Sequence, residues 1–554
     1  MDRRNRISAY APSRQDVPLH WIDSEERVRS EYGKYLADEA RYGEGSARII
    51  FFPESEEQIS AFMRRMSSES ILVTISAGRT GIVGGAVPPR GAILSTERMN
   101  KILGLRFDSK TGEWLVRVQP GVILKDLHTK IERKEFRELL TSASESEIED
   151  LKRFLEDPQR YFYPPDPTED SSTIGGNIAT NAAGARTYKY GSTRRFIRRI
   201  RVALANGDIL DIRRGQVFAG PERTFKIQFS DGRSAIVNLP SYIMPHVKNA
   251  AGYYVEEGMD LIDLFIGSEG TLGVITEAEL ALAPRLGNRL TALIFFPSES
   301  DALGFVHRVR GDHAKGRAYA EGPESMEYFD SNSLNLLRLR RKESTTPMEI
   351  PELPERAEAA ILLEQSYVEE EFEKLVESLE LSLRENRSSL EDTMSATDDT
   401  SRKRLTEIRH AVPETVNQRI ASLKSKISEI HKVGTDTAVS DQYLDVMLDY
   451  YVRRLAEEGF EYVIFGHISE NNLHVNVLPN SLEDLKRAER LAEEFARYAV
   501  EHGGTVSGEH GVGKLKRSLL KLMYGERGVE EMFQVKKALD PQLILNLGDI
   551  FPID

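Results

Sequence analysis

Three loops of small residues, each lying against an apolar run, constrain this chain more than any other feature. The first, Ser76-Ala77-Gly78-Arg79-Thr80-Gly81-Ile82-Val83-Gly84-Gly85-Ala86-Val87-Pro88, follows the strand-like Ile71 to Ile75. Its glycines let consecutive backbone N–H groups turn inward and approach an anion with no Cβ in the way. A pyrophosphate suits such a loop, although its spacing matches neither a triphosphatase loop nor the dinucleotide fingerprint. Taken alone, a glycine turn at a sheet edge explains it as well. The second loop, Thr173-Ile174-Gly175-Gly176-Asn177-Ile178-Ala179-Thr180-Asn181-Ala182-Ala183-Gly184, crowds small residues where something flat or bulky would lie against backbone. The third, Leu264-Phe265-Ile266-Gly267-Ser268-Glu269-Gly270-Thr271-Leu272-Gly273-Val274-Ile275-Thr276, does the same before a strand. Three such loops in one stretch point to a shared occupant rather than to unrelated turns.

At 554 residues the chain exceeds one hydrophobic core, so two or three domains are expected. With 88 acidic against 74 basic residues the net charge is −14, which argues against nucleic acid as the main partner. There is no cysteine, which excludes disulfides, a cysteine nucleophile, a cysteinyl-flavin bond and an iron–sulfur cluster held by this chain. The basic start, Met1 to Arg6, leads into no apolar run, and no stretch approaches a membrane-spanning length. The expectation is a cytoplasmic protein, with peripheral contact to the inner face of a membrane left open.

Residues 1–45 are polar, with a short helical pattern near Glu25 to Ala40. From 46 to 286, apolar β-rich runs alternate with glycine turns, and an acidic helical insertion occupies 131–160. Residues 287–480 mix strands such as Leu290 to Phe296 with charged stretches; Glu369 to Arg404 reads as surface helices. A helical segment follows over 481–554. The fold class is α+β.

Two histidines seven residues apart are the strongest chemical signal. They lie in Gly466-His467-Ile468-Ser469-Glu470-Asn471-Asn472-Leu473-His474-Val475-Asn476, which reads as two strands around a turn. If Ile468 faces Leu473, His467 faces His474 on one side of the sheet, and the two imidazoles can share a metal ion. Glu509, in Ser507-Gly508-Glu509-His510-Gly511, would supply a third ligand and leave an open position, as in catalytic divalent sites. Two ordinary polar residues on a hairpin face would look the same.

The three loops in this order, from about Ala47 to Pro284, resemble the FAD-binding domain of the vanillyl-alcohol oxidase and p-cresol methylhydroxylase (PCMH) flavoproteins. The hairpin, Gly503 to Lys514 and Asp540 to Asn546 are similar to the FAD-linked oxidase C-terminal domain. The combination resembles the D-2-hydroxy acid dehydrogenases, whose substrates include D-lactate, glycolate and D-2-hydroxyglutarate. The resemblance implies a two-subdomain FAD-binding domain, an α+β substrate domain with an antiparallel sheet, and a C-terminal segment that returns to the flavin.

By that resemblance Ser76, Gly78, Arg79, Thr80, Gly81, Gly84 and Gly85 cradle the FAD pyrophosphate, with Pro120 and Gly121 near the adenine diphosphate. Asp166, Ser172, Thr173, Gly176, Asn177 and Gly184, then Gly267, Glu269, Gly270 and Ile275, match flavin and ribityl contacts, and Asn546 returns to the ring. No histidine lies in the first loop, so FAD is expected to be non-covalent. His467, His474 and Glu509 match the ligands of a divalent metal, of the Zn or Mn/Fe kind, and His510 the catalytic base. The base takes the substrate hydroxyl proton while a hydride passes to flavin N5. Arg409 and Lys432 match the residues that hold the substrate carboxylate. Relatives carry Gly-Asp-Gly-Asn between the histidines where this chain has Ser469-Glu470-Asn471-Asn472; the lost glycines are expected to stiffen the turn and alter the pocket.

The function so implied is oxidation of a small-molecule 2-hydroxy acid. Electrons would leave to a quinone, a cytochrome, an electron-transfer flavoprotein or a separate iron–sulfur subunit. A homodimer is compatible with the sequence. The alternatives are a metal-free flavoprotein of the same superfamily, of the alkylglycerone-phosphate synthase or sugar oxidase type, and a non-catalytic FAD subunit of a redox complex.

Overall fold

A computed structural model describes residues 5–12, 17–40, 43–141, 144–285, 287–314, 322–343 and 351–552. The basic residues 1–4 and the expected boundary residue 286 lie outside them.

The first half is built on two main sheets. Ile49–Phe51 and Val73–Ser76 both run parallel to Ala92–Ser95, and Trp21–Asp23 pairs antiparallel with Ile49–Phe51 at the edge. These short strands read as continuous apolar runs because the parallel core is covered on both faces. The helix Glu56–Ser68 supplies one cover, starting at the Ser55 cap and burying Ile59, Phe62, Met63 and Met66. The second sheet is antiparallel, in the order Ile209–Arg213, Ile197–Ala203, Val274–Ala281, Glu113–Val118, Ile102–Asp108.

Residues 1–45 contribute more than a polar lead-in. Arg6–Ser8 adds a parallel strand beside Thr224–Gln228, and Trp21–Asp23 joins the parallel sheet. Three-residue edge strands carry too little periodicity to be seen in a polar sequence. The acidic insertion forms the helix Glu145–Glu156 behind a Ser144–Glu147 capping box. It lies on the outside of the sheet, with Leu151 and Phe154 buried and Phe154 edge-on to Trp114 at 5.1 Å.

The second half centres on a seven-stranded antiparallel sheet, ordered Thr393–Ala396, Asn288–Phe296, Ala359–Tyr367, Pro323–Asp330, Tyr462–His467, Asn472–Val477, Val433–Gly434. The charged stretch 369–404 is helical at Phe372–Glu385 and Asp399–Thr406, as expected. Between them, however, Thr393–Ala396 extends the sheet. Its place is fixed by pairing with Thr291 to Ile294 rather than by its own hydrophobic pattern.

The helices Leu482–Glu501 and Arg517–Leu539 flank the glycine-rich turn, and the chain then returns to the first half. The Val73 N–H donates to the Ile544 carbonyl at 2.7 Å and the Asn546 N–H to the Val73 carbonyl at 2.9 Å. The end of the chain therefore pairs with the strand that launches the first glycine loop. No helix among the described residues is long and apolar enough to cross a membrane.

Candidate active site

The first and second glycine loops face one another. A Cβ on Gly78 would lie 3.3 Å from the Thr173 amide, and one on Gly176 3.3 Å from the Ala77 Cβ. The turn at Pro120 and Gly121 packs below them, its Pro120 carbonyl accepting the Gly175 N–H at 2.8 Å. Gly121 admits no side chain, because a Cβ there would meet the Thr96 carbonyl at 2.3 Å; Gly184 likewise meets the Asp166 carbonyl at 2.0 Å. Arg79 and Gly84 adopt left-handed φ of 62° and 77°, which bends the first loop back on itself. At its free end a Cβ on Gly81 would touch nothing, and Thr80 precedes it.

Several buried polar atoms around these loops have no protein partner: the hydroxyls of Ser95, Thr96, Ser172 and Thr173 and the side-chain nitrogen of Asn177. Buried polar groups are nearly always paired, so this concentration marks a surface built to receive a polar ligand. The residues fit FAD: small loops for a pyrophosphate, then unpaired hydroxyls and an amide for polar groups further along.

The third loop is fastened to the C-terminal turn. Glu269, at a left-handed φ of 54°, accepts the N–H groups of Val512 and Gly513 at 2.8 and 2.7 Å. Asn546 accepts the Ile75 N–H at 2.7 Å and donates to the Glu269 carbonyl at 2.9 Å. Of these two residues matched by resemblance to flavin contacts, Glu269 thus ties the third loop to the C-terminal turn and Asn546 ties loops one and three together. Gly267 donates to the Ile178 carbonyl of the second loop at 3.0 Å, and Gly270 packs on Asn546. Ile275 lies just inside the strand Val274–Ala281. Gly85 faces Asp549, and Lys514 donates to the Gly84 carbonyl at 3.0 Å. Asp166 accepts the Arg186 N–H at 3.1 Å beside Gly184.

The histidine hairpin differs in register from the expectation. His467 opposes Asn472 and His474 opposes Phe465, a slip of two residues. Residues 468–471 form the loop, and Asn471 takes a left-handed φ of 55°, so the second strand begins one residue early. A slip of two preserves the face, because side chains alternate with period two. The histidines are diagonal neighbours with ring centroids 5.6 Å apart.

Each imidazole is anchored through one nitrogen and turns the other to Glu509. His467 Nδ1 lies 2.8 Å from Glu327 and His474 Nδ1 3.2 Å from the Thr435 carbonyl. Both Nε2 atoms face Glu509, at 3.1 and 3.2 Å. Anchoring one ring nitrogen on a carboxylate or carbonyl is how proteins orient metal-binding histidines, and this donor set fits a divalent ion. Burial disfavours charge on His467, but Glu327 and Glu509 outweigh it and hold its pKa near 9. The negative field that attracts a proton to that nitrogen would equally attract a dication.

His510 stacks on His474, 5.2 Å between centroids, with Nδ1 3.3 Å from Asp436 and Nε2 3.4 Å from Glu509. Burial lowers its pKa despite Asp436, which favours the neutral, proton-accepting ring. Asp436, His474, Glu509 and His510 offer ligand atoms within 4.8 Å of one another. Asp436 is nonetheless committed elsewhere. It accepts from the Ser507 hydroxyl, the His510 N–H and the Lys516 ammonium at 2.9, 2.9 and 2.8 Å, and so shapes the turn.

Arg409 reaches the same cluster, its Nε 3.2 Å from Glu327 and its Nη2 buried without a hydrogen-bond partner. No ion pair to Lys432 is seen among the described residues, and burial alone lowers its pKa. The departure between the histidines is well accommodated. Asn471 takes the left-handed position a glycine would occupy, as asparagine can, and its side chain bonds to Arg310, Asp441 and the Val439 carbonyl. Glu470 instead reaches Lys248, which also holds Glu509. Sequence reasoning assigned no role to Glu327, Asp436, Lys248 or Glu470; only Glu470 carried a signal, as a departure from the usual pattern.

The family model described as "FAD linked oxidases, C-terminal domain" matches residues 287–550, and an "FAD binding domain" model matches 47–147 and 146–213. The chain belongs to the FAD-linked oxidases. It is accordingly an FAD-dependent oxidoreductase of α+β class, with an FAD-binding half of PCMH type. This FAD-linked oxidase is 28% identical to a D-lactate dehydrogenase of Anaerostipes hadrus, over 92% of this chain and 91% of the relative. It is 28% identical to the glycolate oxidase subunit GlcD of Bacillus subtilis, over 91% and 89%. It is also 28% identical to a D-2-hydroxyglutarate dehydrogenase of Stutzerimonas stutzeri, over 94% of each. Among solved structures, an alkyldihydroxyacetonephosphate synthase shares the fold at a TM-score of 0.58, 16% identity, and 91% and 77% coverage.

Proposed function

We propose that this FAD-linked oxidase is a dehydrogenase that converts a D-2-hydroxy acid, of the D-lactate, glycolate or D-2-hydroxyglutarate class, to its 2-oxo acid with metal assistance. The observation that carries the reading is the convergence of His467 Nε2 and His474 Nε2 on Glu509, each ring fixed through its other nitrogen. The names of the relatives support the substrate class.

FAD held by the three loops would supply the hydride acceptor. A divalent ion of the Zn or Mn/Fe kind on His467, His474 and Glu509 would supply the Lewis acid that acidifies the substrate hydroxyl. The Arg409 guanidinium, with Nη2 unpaired, grips the substrate carboxylate. Lys432, half-buried and without an ion pair among the described residues, is by resemblance the second cation for that group. His510 Nε2 takes the hydroxyl proton, and Asp436 at its Nδ1 fixes the ring and steadies the charge it gains. The electron acceptor is a separate partner, and an iron–sulfur relay would need another polypeptide.

Anaerobic titration of the yellow holoprotein, with zinc or manganese supplied, tests the reading. One of D-lactate, glycolate or D-2-hydroxyglutarate is expected to bleach the flavin while L-lactate and L-2-hydroxyglutarate do not. Flavin that stays oxidised with all three overturns it. The metal-free alternative predicts bleaching that survives exhaustive chelation.

A further inference from the structure

Lys248 enters the cluster from the first half of the chain, in the segment before Gly252. Its side chain is only 2% exposed, and its ammonium meets three separate segments. It donates to Glu509 Oε2 at 2.9 Å, lies 3.2 Å from Glu470 Oε2 and contacts the Gly184 carbonyl of the second glycine loop at 3.4 Å. Glu509 Oε1, the other oxygen of the same carboxylate, faces His474 at 3.2 Å and His510 at 3.4 Å. Oε2 is shared by the lysine and His467 Nε2, the latter at 3.1 Å, so the ammonium holds one edge of a carboxylate whose other edge faces His474 and His510.

We propose that Lys248 is a positioning residue for the metal site: it holds Glu509 through Oε2 and so fixes the carboxylate in the orientation it keeps toward His467 and His474, with Glu470 as its counter-charge. This rests on the metal-assisted reading above. The role divides the labour of two buried carboxylates. Glu470 balances the ammonium, so the lysine can sit beside a cation site without adding a net positive charge. Glu509 is left as a ligand of fixed orientation. Glu470 is also the residue at which the turn departs from the relatives' aspartate, and its longer side chain is the one that reaches Lys248. Through the Gly184 carbonyl the same ammonium ties the metal site to the second glycine loop.

Orientation and charge predict opposite signs, which makes the idea testable. Removing the ammonium in Lys248→Met would tighten metal binding if the lysine acted only as a repelling charge. If it orients Glu509, affinity falls by roughly 10–100-fold, as for lost outer-shell partners of metal ligands. The measurement is zinc affinity of the FAD-loaded protein by competition with a chelator, with FAD content read from absorbance as the check on folding. Lys248→Arg should recover part of the loss. Glu470→Gln, which keeps volume but unbalances the ammonium, should weaken zinc several-fold and serves as a second probe if Lys248→Met does not fold. Unchanged or tighter zinc binding in Lys248→Met, or unchanged binding in Glu470→Gln, overturns the proposal. Wild-type protein that takes up no zinc, manganese or iron(II) overturns the metal reading and this inference together, so the two failures are distinguishable.

Discussion

Around the first two glycine loops, the hydroxyls of Ser95, Thr96, Ser172 and Thr173 are buried without a protein partner, whereas around Glu509 carboxylates, imidazoles and Lys248 pair with one another. The unpaired groups of the loops are neutral; the histidine cluster is a network of carboxylates, imidazoles, Lys248 and Arg409. The contrast follows from what each region must do. A large polar ligand completes its own hydrogen bonds on arrival, so the loops leave groups unpaired and keep room by using glycine. The small ion and proton transfer proposed for the cluster would demand fixed donors, and fixed charges out of water are stable only when paired.

Two substitutions bear on that contrast, the larger effect first, and a third tests a group outside it. The cluster side predicts that His510→Ala keeps its yellow colour but loses reduction of the flavin by substrate, by about 10²–10⁴-fold as for a lost general base. Stopped-flow absorbance measures it, and near wild-type reduction would remove His510 from the mechanism. The loop side predicts the reverse pattern for Gly184→Ala. A Cβ 2.0 Å from the Asp166 carbonyl forces the second loop to shift, a strain costing about 1–3 kcal/mol. FAD affinity should fall most, and zinc binding should weaken less because the Gly184 carbonyl contact to Lys248 is the longest of that ammonium's three; equal loss of both would show that the two regions are not separable.

The smallest effect concerns His128, which lies outside both regions. Its Nε2 sits 3.0 Å from the Tyr163 carbonyl, and burial foremost, then Arg186, lowers its pKa from 6.5 to about 4. The unfolded chain therefore binds a proton below about pH 6.5 that the folded chain refuses, and stability falls as pH drops from there towards 4. The most this one group can remove is about 3 kcal/mol. His128→Asn should flatten that part of the stability–pH curve, measured by denaturant unfolding, without altering FAD or metal binding.

Much of the site was legible because its signals are local. Glycine loops beside apolar strands and two histidines at a hairpin spacing are features of short segments, and they pointed to loops that the fold brings face to face and to two imidazoles that it turns to Glu509. The register of the hairpin was not legible. It depended on Asn471 adopting a left-handed conformation, which shifts His474 from opposite His467 to opposite Phe465. The strand Thr393–Ala396 was hidden for a related reason: an edge strand owes its state to the neighbour it pairs with.

By itself the sequence determined the α+β class, the order of the flavin loops and the choice of two histidines, because each follows from residue types a few positions apart. Only the tertiary structure decided that Lys248, Glu327, Asp436 and Glu509 meet. They come from four segments far apart in the chain, and a buried charge selects its partner by distance in space. The same holds for Glu269 and Asn546. Their chemistry is plain in the sequence, but that they spend it fastening the loops to the C-terminal turn is a consequence of how the chain returns on itself.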